Sequence, residues 1–205
     1  GVGRAFAAVL AGDAIGNVTP LGPIVGEPAK AAFVRSHVPL QPALTALAIE
    51  NIFYTLSSAA MIVAGTIALI FAFGLPARLR EFSEVAVAGI LTALATCLWI
   101  LWKQPALISR WLPLMSRPGS RLHASIGRVQ SLENEIYTFA SRRRAAVFPV
   151  ILFEASFHAV GVLETHLTLW MILGAQPLLM DSFILETANR VMAVAFKFIP
   201  FQLGV

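Results

Sequence analysis

The chain has 205 residues, 58% of them hydrophobic and only 13% charged, with a formal net charge of +4. An ordinary soluble domain carries about 25% charged residues, so this composition, with a mean hydropathy of +0.77, points to a membrane protein and away from a soluble enzyme or a nucleic-acid binder. The single cysteine, Cys97, supports neither a disulfide framework nor a zinc site.

A helix needs roughly 20 apolar residues to cross the hydrocarbon core. In chain order, Val2 to Val18 is a short apolar segment carrying Asp13, and Pro42 to Leu75 is a long run whose one charge is Glu50. Val85 to Trp102 has no charge, and Ala145 to Gly174 is long enough although Glu154, His158, Glu164 and His166 interrupt it. Ser182 to Ile199 is again short and more polar. The predicted spans are therefore 2–18, 42–75, 85–102, 145–174 and 182–199, the first and last crossing or re-entering the bilayer. The fold class expected is all-α: a polytopic transmembrane helix bundle with interrupted or re-entrant helices. Opening on Gly1 and closing on "PFQLGV", residues 1–205 read as one transmembrane domain, a fragment of a longer polytopic chain.

The connection 103–144 holds Lys103, Arg110, Arg117, Arg121, Arg128 and Arg142 to Arg144 against Glu133 and Glu135. Basic loops stay on the cytoplasmic side, which sets the orientation of the spans on either side. Within it, Leu122, Ile126, Val129, Leu132, Ile136 and Phe139 recur at steps of three and four and predict an amphipathic helix. Such a helix either packs against the end of the bundle or lies on anionic headgroups. Trp99, Trp102, Trp111 and Trp170 fall near span ends, as an interfacial aromatic belt does.

The stretch "GNVTPLGPIVGEPAK", Gly16 to Lys30, sets glycines and prolines between two apolar segments. Backbone groups freed by Pro20, Gly22, Pro23 and Gly26 must be buried in protein or line a wet cavity, because lipid offers them no partner. Pro28 is expected in the first turn of a helix "PAKAAFVRSH", with Glu27 just before it at the positive end of the helix dipole. Two readings stand: a structural cap, or a half-helix terminus where Lys30 and freed amides receive an anionic headgroup.

Ionisable residues inside a membrane face the protein interior or a cavity and have partners. At about 100° per residue, Glu154, His158, Gly161, Thr165 and Thr168 form one stripe, and Glu186, Arg190, Ala193 and Lys197 another. The two stripes are expected to face each other, with Asp13 and Glu50 contributing from the first half. Glu154 and His158 are read as interhelical hydrogen-bonding partners or as a proton relay, and no metal site is expected because the Glu-x-x-His repeat of bundle di-metal centres is absent. Glu186 and Arg190 form an i, i+4 ion pair or bind a headgroup. Lys197 either joins them or snorkels to the interface. With no nucleophile elbow, phosphate loop or zinc-protease motif, no catalytic residue and no cofactor are assigned.

The segments "AGDAIGNVTPLGPIVGE" and "ANRVMAVAFKFIPFQLGV" echo each other when Pro23 is set on Pro200, which suggests an internal repeat of the kind that frames transporter binding sites. "GDAIGNVTPLGPIVGEPAKAAFV" followed by "ALTALAIENIFYTLSSAAMIVAG" resembles the flippase-like superfamily that includes the transmembrane region of lysylphosphatidylglycerol synthases. The resemblance rests on Asn17, Pro20, Gly22, Gly26, Glu27, Lys30, Glu50, Pro200 and Gly204. It implies a bacterial inner-membrane protein that binds or translocates a lipid or lipid-linked substrate, with an anionic headgroup or a polyprenyl carrier as partner and a soluble catalytic domain or enzyme as a possible associate. It implies no aminoacyl-transfer chemistry here and no nucleic acid. The alternative is a non-catalytic membrane scaffold or assembly partner of a lipid or envelope-glycan pathway.

Overall fold

The computed structural model describes residues 2–19, 22–103, 121–142 and 144–196. Pro20, Lys197, Pro200, Gly204 and Trp111 lie outside the described residues, and with them the second half of the echoed segment. Every regular element described is a helix: α1 (Val2–Val18), α2 (Gly22–Phe33), α3 (Leu40–Ala72), α4 (Ala77–Lys103), α5 (Arg121–Arg142), α6 (Arg144–Leu173) and α7 (Leu179–Ala195).

Three of these, α3, α4 and α6, are long and apolar enough to cross a membrane. At 1.5 Å per residue they measure about 50, 40 and 45 Å, more than the ~30 Å hydrocarbon core requires. By the same measure α1 and α7 reach about 25 Å and α2 about 18 Å. The packing is inverted relative to a soluble protein. Small or polar side chains are buried (Ala8, Ala31, Ala43, Thr45, Ser58, Ser182, Glu186, Thr187), while Phe71, Phe82, Phe153, Met171 and Ile172 are more than 70% exposed. Large apolar patches open to solvent are unfavourable in water, and only a lipid surround makes this arrangement stable. Trp99, Trp102 and Trp170 are all exposed, as belt residues are.

The helices alternate in direction. Residues 73–76 turn α3 into α4, and at the end of α6 Gly174 takes a left-handed φ of 65° with its N–H donating to the Trp170 carbonyl at 3.0 Å. That is the usual helix stop, in which glycine avoids a Cβ clash. The start of α3, the end of α4 and the start of α6 therefore share one end of the bundle. The amphipathic helix α5 docks there: Gln41 donates to Ser131, Thr45 donates to Glu135, and Phe53 meets Phe139 edge-on at 6.4 Å. Ile49, Ile52, Phe53, Leu101, Ile136 and Phe139 line an apolar notch between α3, α4 and α5. Of the two readings of this helix, packing against the end of the bundle is the one its contacts favour.

The first hairpin differs from the sequence expectation in two ways. Gly22, Pro23 and Gly26 do not break the backbone, because α2 is continuous from Gly22, and Pro28 is internal to it, not in its first turn. Pro23 holds the early position where a missing N–H costs nothing, so the helix starts at Gly22 and Glu27 sits mid-helix, away from the dipole end. The glycines serve a close helix crossing instead. A Cβ on Gly22 would lie 2.5 Å from the Gly16 carbonyl oxygen, and one on Gly26 would lie 2.9 Å from that of Gly12. Two Gly-x-x-x-Gly faces, Gly12/Gly16 and Gly22/Gly26, thus press backbone to backbone, the small-residue contact that lets helices meet without a hydrophobic driving force.

A second close approach joins α3 to α7. A Cβ on Gly65 would overlap the Thr187 side chain, which is buried and hydrogen-bonds back to the Phe183 carbonyl at 2.8 Å. Gly65→Ala is expected to destabilise the bundle by about 1–3 kcal/mol through overpacking, and Thr187→Ala should recover most of that. Thermal unfolding of the single and double variants in lipid checks both.

Candidate functional site

One face of α3 organises the polar interior. Glu50, Tyr54, Ser57, Ser58, Met61 and Gly65 recur at helical spacing, a line about 22 Å long at 1.5 Å per residue. Polar groups of α6 and α7 meet its middle, and the α1–α2 hairpin meets its beginning.

In the middle, Arg190 and Glu186 on α7 form an ion pair of 3.0 Å, their side chains only 12% and 6% exposed. The carboxylate also accepts from Thr165 at 3.0 Å and from Asn189 at 3.4 Å. Gly161 makes room for it: a Cβ there would stand 3.0 Å from Glu186 Oε1. Arg190 donates through Nη1 to the Tyr54 hydroxyl at 3.3 Å and lies 5.1 Å over the Phe157 ring, a cation–π contact. Its Nε is buried with no partner among the described residues.

Directly beside this pair, Glu154 and His158, one turn apart on α6, converge on a single α3 hydroxyl. Ser57 Oγ lies 3.2 Å from Glu154 Oε2 and 3.0 Å from His158 Nε2. His158 is buried, and its Nδ1 has no partner among the described residues. In a nucleophilic triad the carboxylate holds the imidazole nitrogen remote from the serine. Here carboxylate and imidazole share the same oxygen, so the arrangement is a bridge and not a triad.

At the hairpin, Lys30 on α2 pairs with Asp13 on α1 at 2.8 Å and with Glu27 at 2.9 Å. Burial works against the ammonium, but hydrogen bonds to Asp13 and Glu27 outweigh it and raise its pKa above the ordinary lysine value. Glu27 Oε2 is buried without a partner among the described residues. Glu50 lies within electrostatic reach of Asp13, Glu27 and Lys30 on one side and of Glu154 on the other. Glu50 is exposed on α3 and touches neither group, and the series as a whole holds five carboxylates (Asp13, Glu27, Glu50, Glu154, Glu186) against Lys30 and Arg190.

The structure thus brings Asp13, Glu27 and Lys30 together, pairs Glu186 with Arg190, and joins Glu154 to His158 through a third residue. Asn17 is exposed on α1 and Thr168 is exposed on α6, outside the series. Among the described residues no three His, Cys, Asp or Glu side chains converge as metal ligands. Sequence reasoning missed Tyr54, Ser57 and the Gly12/Gly16 contact. Tyr54 and Ser57 stand four and seven residues after Glu50, so following the helical spacing from that one charge would have found them. His166 Nδ1 and Ser182 Oγ, 3.0 Å apart, add a further polar link between α6 and α7 that no pairing rule singled out. In comparisons with known proteins, no family model, no curated protein and no solved structure matches the chain.

Proposed function

We propose that the chain is an integral inner-membrane unit of flippase-like type, which binds or translocates a lipid or lipid-linked substrate along the polar face of α3. The observation that carries this reading is the set of paired ionisable groups inside the bundle: Lys30 holds Asp13 and Glu27 across α1 and α2, and Arg190 holds Glu186 beside the Glu154–Ser57–His158 bridge. Ionisable groups are costly at membrane depth and mark substrate or ion pathways. The α1–α2 hairpin is read as a re-entrant element, its helices of 17 and 12 residues being shorter than α3, α4 and α6. The sequence echo would pair it with the segment 188–205.

In this mechanism a phosphate-bearing headgroup, on a phospholipid or a polyprenyl carrier, exchanges for the internal carboxylates at Lys30 and Arg190, while its acyl chains stay in lipid. The buried Nε of Arg190, unpartnered among the described residues, and the Tyr54 hydroxyl position the headgroup oxygens. A soluble catalytic domain or enzyme would make or consume the substrate at the membrane surface. Leaflet exchange of fluorescent anionic, zwitterionic and polyprenyl-linked lipids in proteoliposomes tests this. Exchange of one lipid class should rise well above the protein-free rate and fall at least about tenfold in Arg190→Ala, the consequence of losing roughly 1.4 kcal/mol of binding, with Glu27→Ala also impaired. A scaffold role is the second reading, favoured because Lys30 and Arg190 are both closed in ion pairs. Exchange at the protein-free rate for every lipid would make it the better one.

A further inference from the structure

We infer that Glu154, Ser57 and His158 form a buried site for one exchangeable proton, passed between the Glu154 carboxyl and His158 Nε2 through the Ser57 hydroxyl. The geometry is that of a relay. Ser57 Oγ stands within hydrogen-bond distance of both groups, at 3.2 and 3.0 Å, and a hydroxyl can donate one proton while accepting another. In the transfer, the Glu154 O–H breaks as its proton moves to Ser57 Oγ, and the original Ser57 O–H breaks as its proton moves to Nε2. One O–H and one N–H form, leaving a carboxylate and an imidazolium, with no change in total charge and no co-reactant.

Charge balance says why a proton is needed. An ionised carboxylate within a membrane span is expensive unless it is paired. Arg190 already belongs to Glu186 at 3.0 Å, and Lys30 to Asp13 and Glu27. Glu50, from α3, adds a like charge within reach of Glu154 and is itself shared with Asp13, Glu27 and Lys30. A proton neutralises Glu154 either directly, as the carboxylic acid, or across Ser57, as the imidazolium of His158. Burial works against an imidazolium at His158, Arg190 of α7 repels it as well, and Glu186 of α7 attracts it. Glu154 on its own helix attracts it too, while Tyr54 of α3 meets Arg190 beside the site. His158 Nδ1, the ring nitrogen outside the relay, is buried with no partner among the described residues.

The proton site stands on this geometry alone; its use to drive substrate movement rests on the lipid-translocation reading. The test uses the full chain in bilayers of phosphatidylethanolamine and phosphatidylglycerol. In pH-difference infrared spectra, the protonated-carboxyl stretch and the imidazole ring mode of the wild type should change together. Glu154→Gln, which keeps shape and hydrogen bonding, should remove the carboxyl signal. Ser57→Ala should leave both signals but separate the pH at which each changes, an effect that loss of a merely structural bond would not produce. As a second measurement on unmutated protein, nitrogen-15 NMR of His158 should show Nε2 changing protonation with pH. A full carboxyl signal in Glu154→Gln, or a His158 that keeps one tautomer across the whole pH range, overturns the proposal. Lipid exchange with and without an imposed pH gradient separates the two readings. Proton signals with no exchange sink the translocation reading and uphold the proton site, whereas exchange without proton signals does the reverse.

Discussion

Arg190→Leu and Glu186→Leu are each expected to destabilise the bundle by about 3–5 kcal/mol, because each leaves one charge of a buried pair uncompensated. The two side chains are 12% and 6% exposed, so little solvent screening softens the loss. The double variant Glu186→Leu/Arg190→Leu should be far closer to the wild type, since replacing both ions by apolar groups removes the desolvation cost along with the attraction. Thermal unfolding in lipid gives the ranking: wild type and double variant together, both singles well below. The singles should also differ. After Glu186 is lost, Arg190 retains the Tyr54 hydroxyl and the Phe157 ring. After Arg190 is lost, Glu186 retains Thr165 and Asn189 as donors. A double variant as unstable as the singles would mean that the pair organises the helices in a way that apolar packing cannot replace.

Gly22→Val should separate α1 from α2. Its Cβ would stand 2.5 Å from the Gly16 carbonyl oxygen, a backbone atom that cannot swing aside as a side-chain tip can. The cost of overpacking is about 1–3 kcal/mol where neighbours can shift, and here they cannot shift without opening the hairpin. Spin labels on the exposed positions Val9 and Ala32, with Cys97 removed, should report a longer α1–α2 distance. Gly89→Val in α4 is the control, because a Cβ there meets nothing within 4 Å. The consequence reaches the polar series. Lys30 keeps Glu27, three residues away on the same helix, but loses Asp13, which only the hairpin contact supplies.

The membrane class, the three long helices and the amphipathic helix were legible in the sequence because each depends on local properties: run length, charge spacing and a period of 3.6 residues. Glu186 and Arg190 could be paired for the same reason, since one helical turn fixes their separation. The role of "GNVTPLGPIVGEPAK" was not legible. Read locally, its glycines and prolines meant a broken backbone. In the fold, Gly22 and Gly26 stay helical because they are matched against Gly12 and Gly16 on the neighbouring helix, and Pro28 is carried inside α2. Likewise Glu154 and His158 carried no sign of what would join them, since Ser57 lies about a hundred residues earlier and is unremarkable in an apolar run. Helical period says which residues share a face. Only the packing of α3 against α6 and α7 decides which faces meet, because that depends on where small side chains let backbones approach.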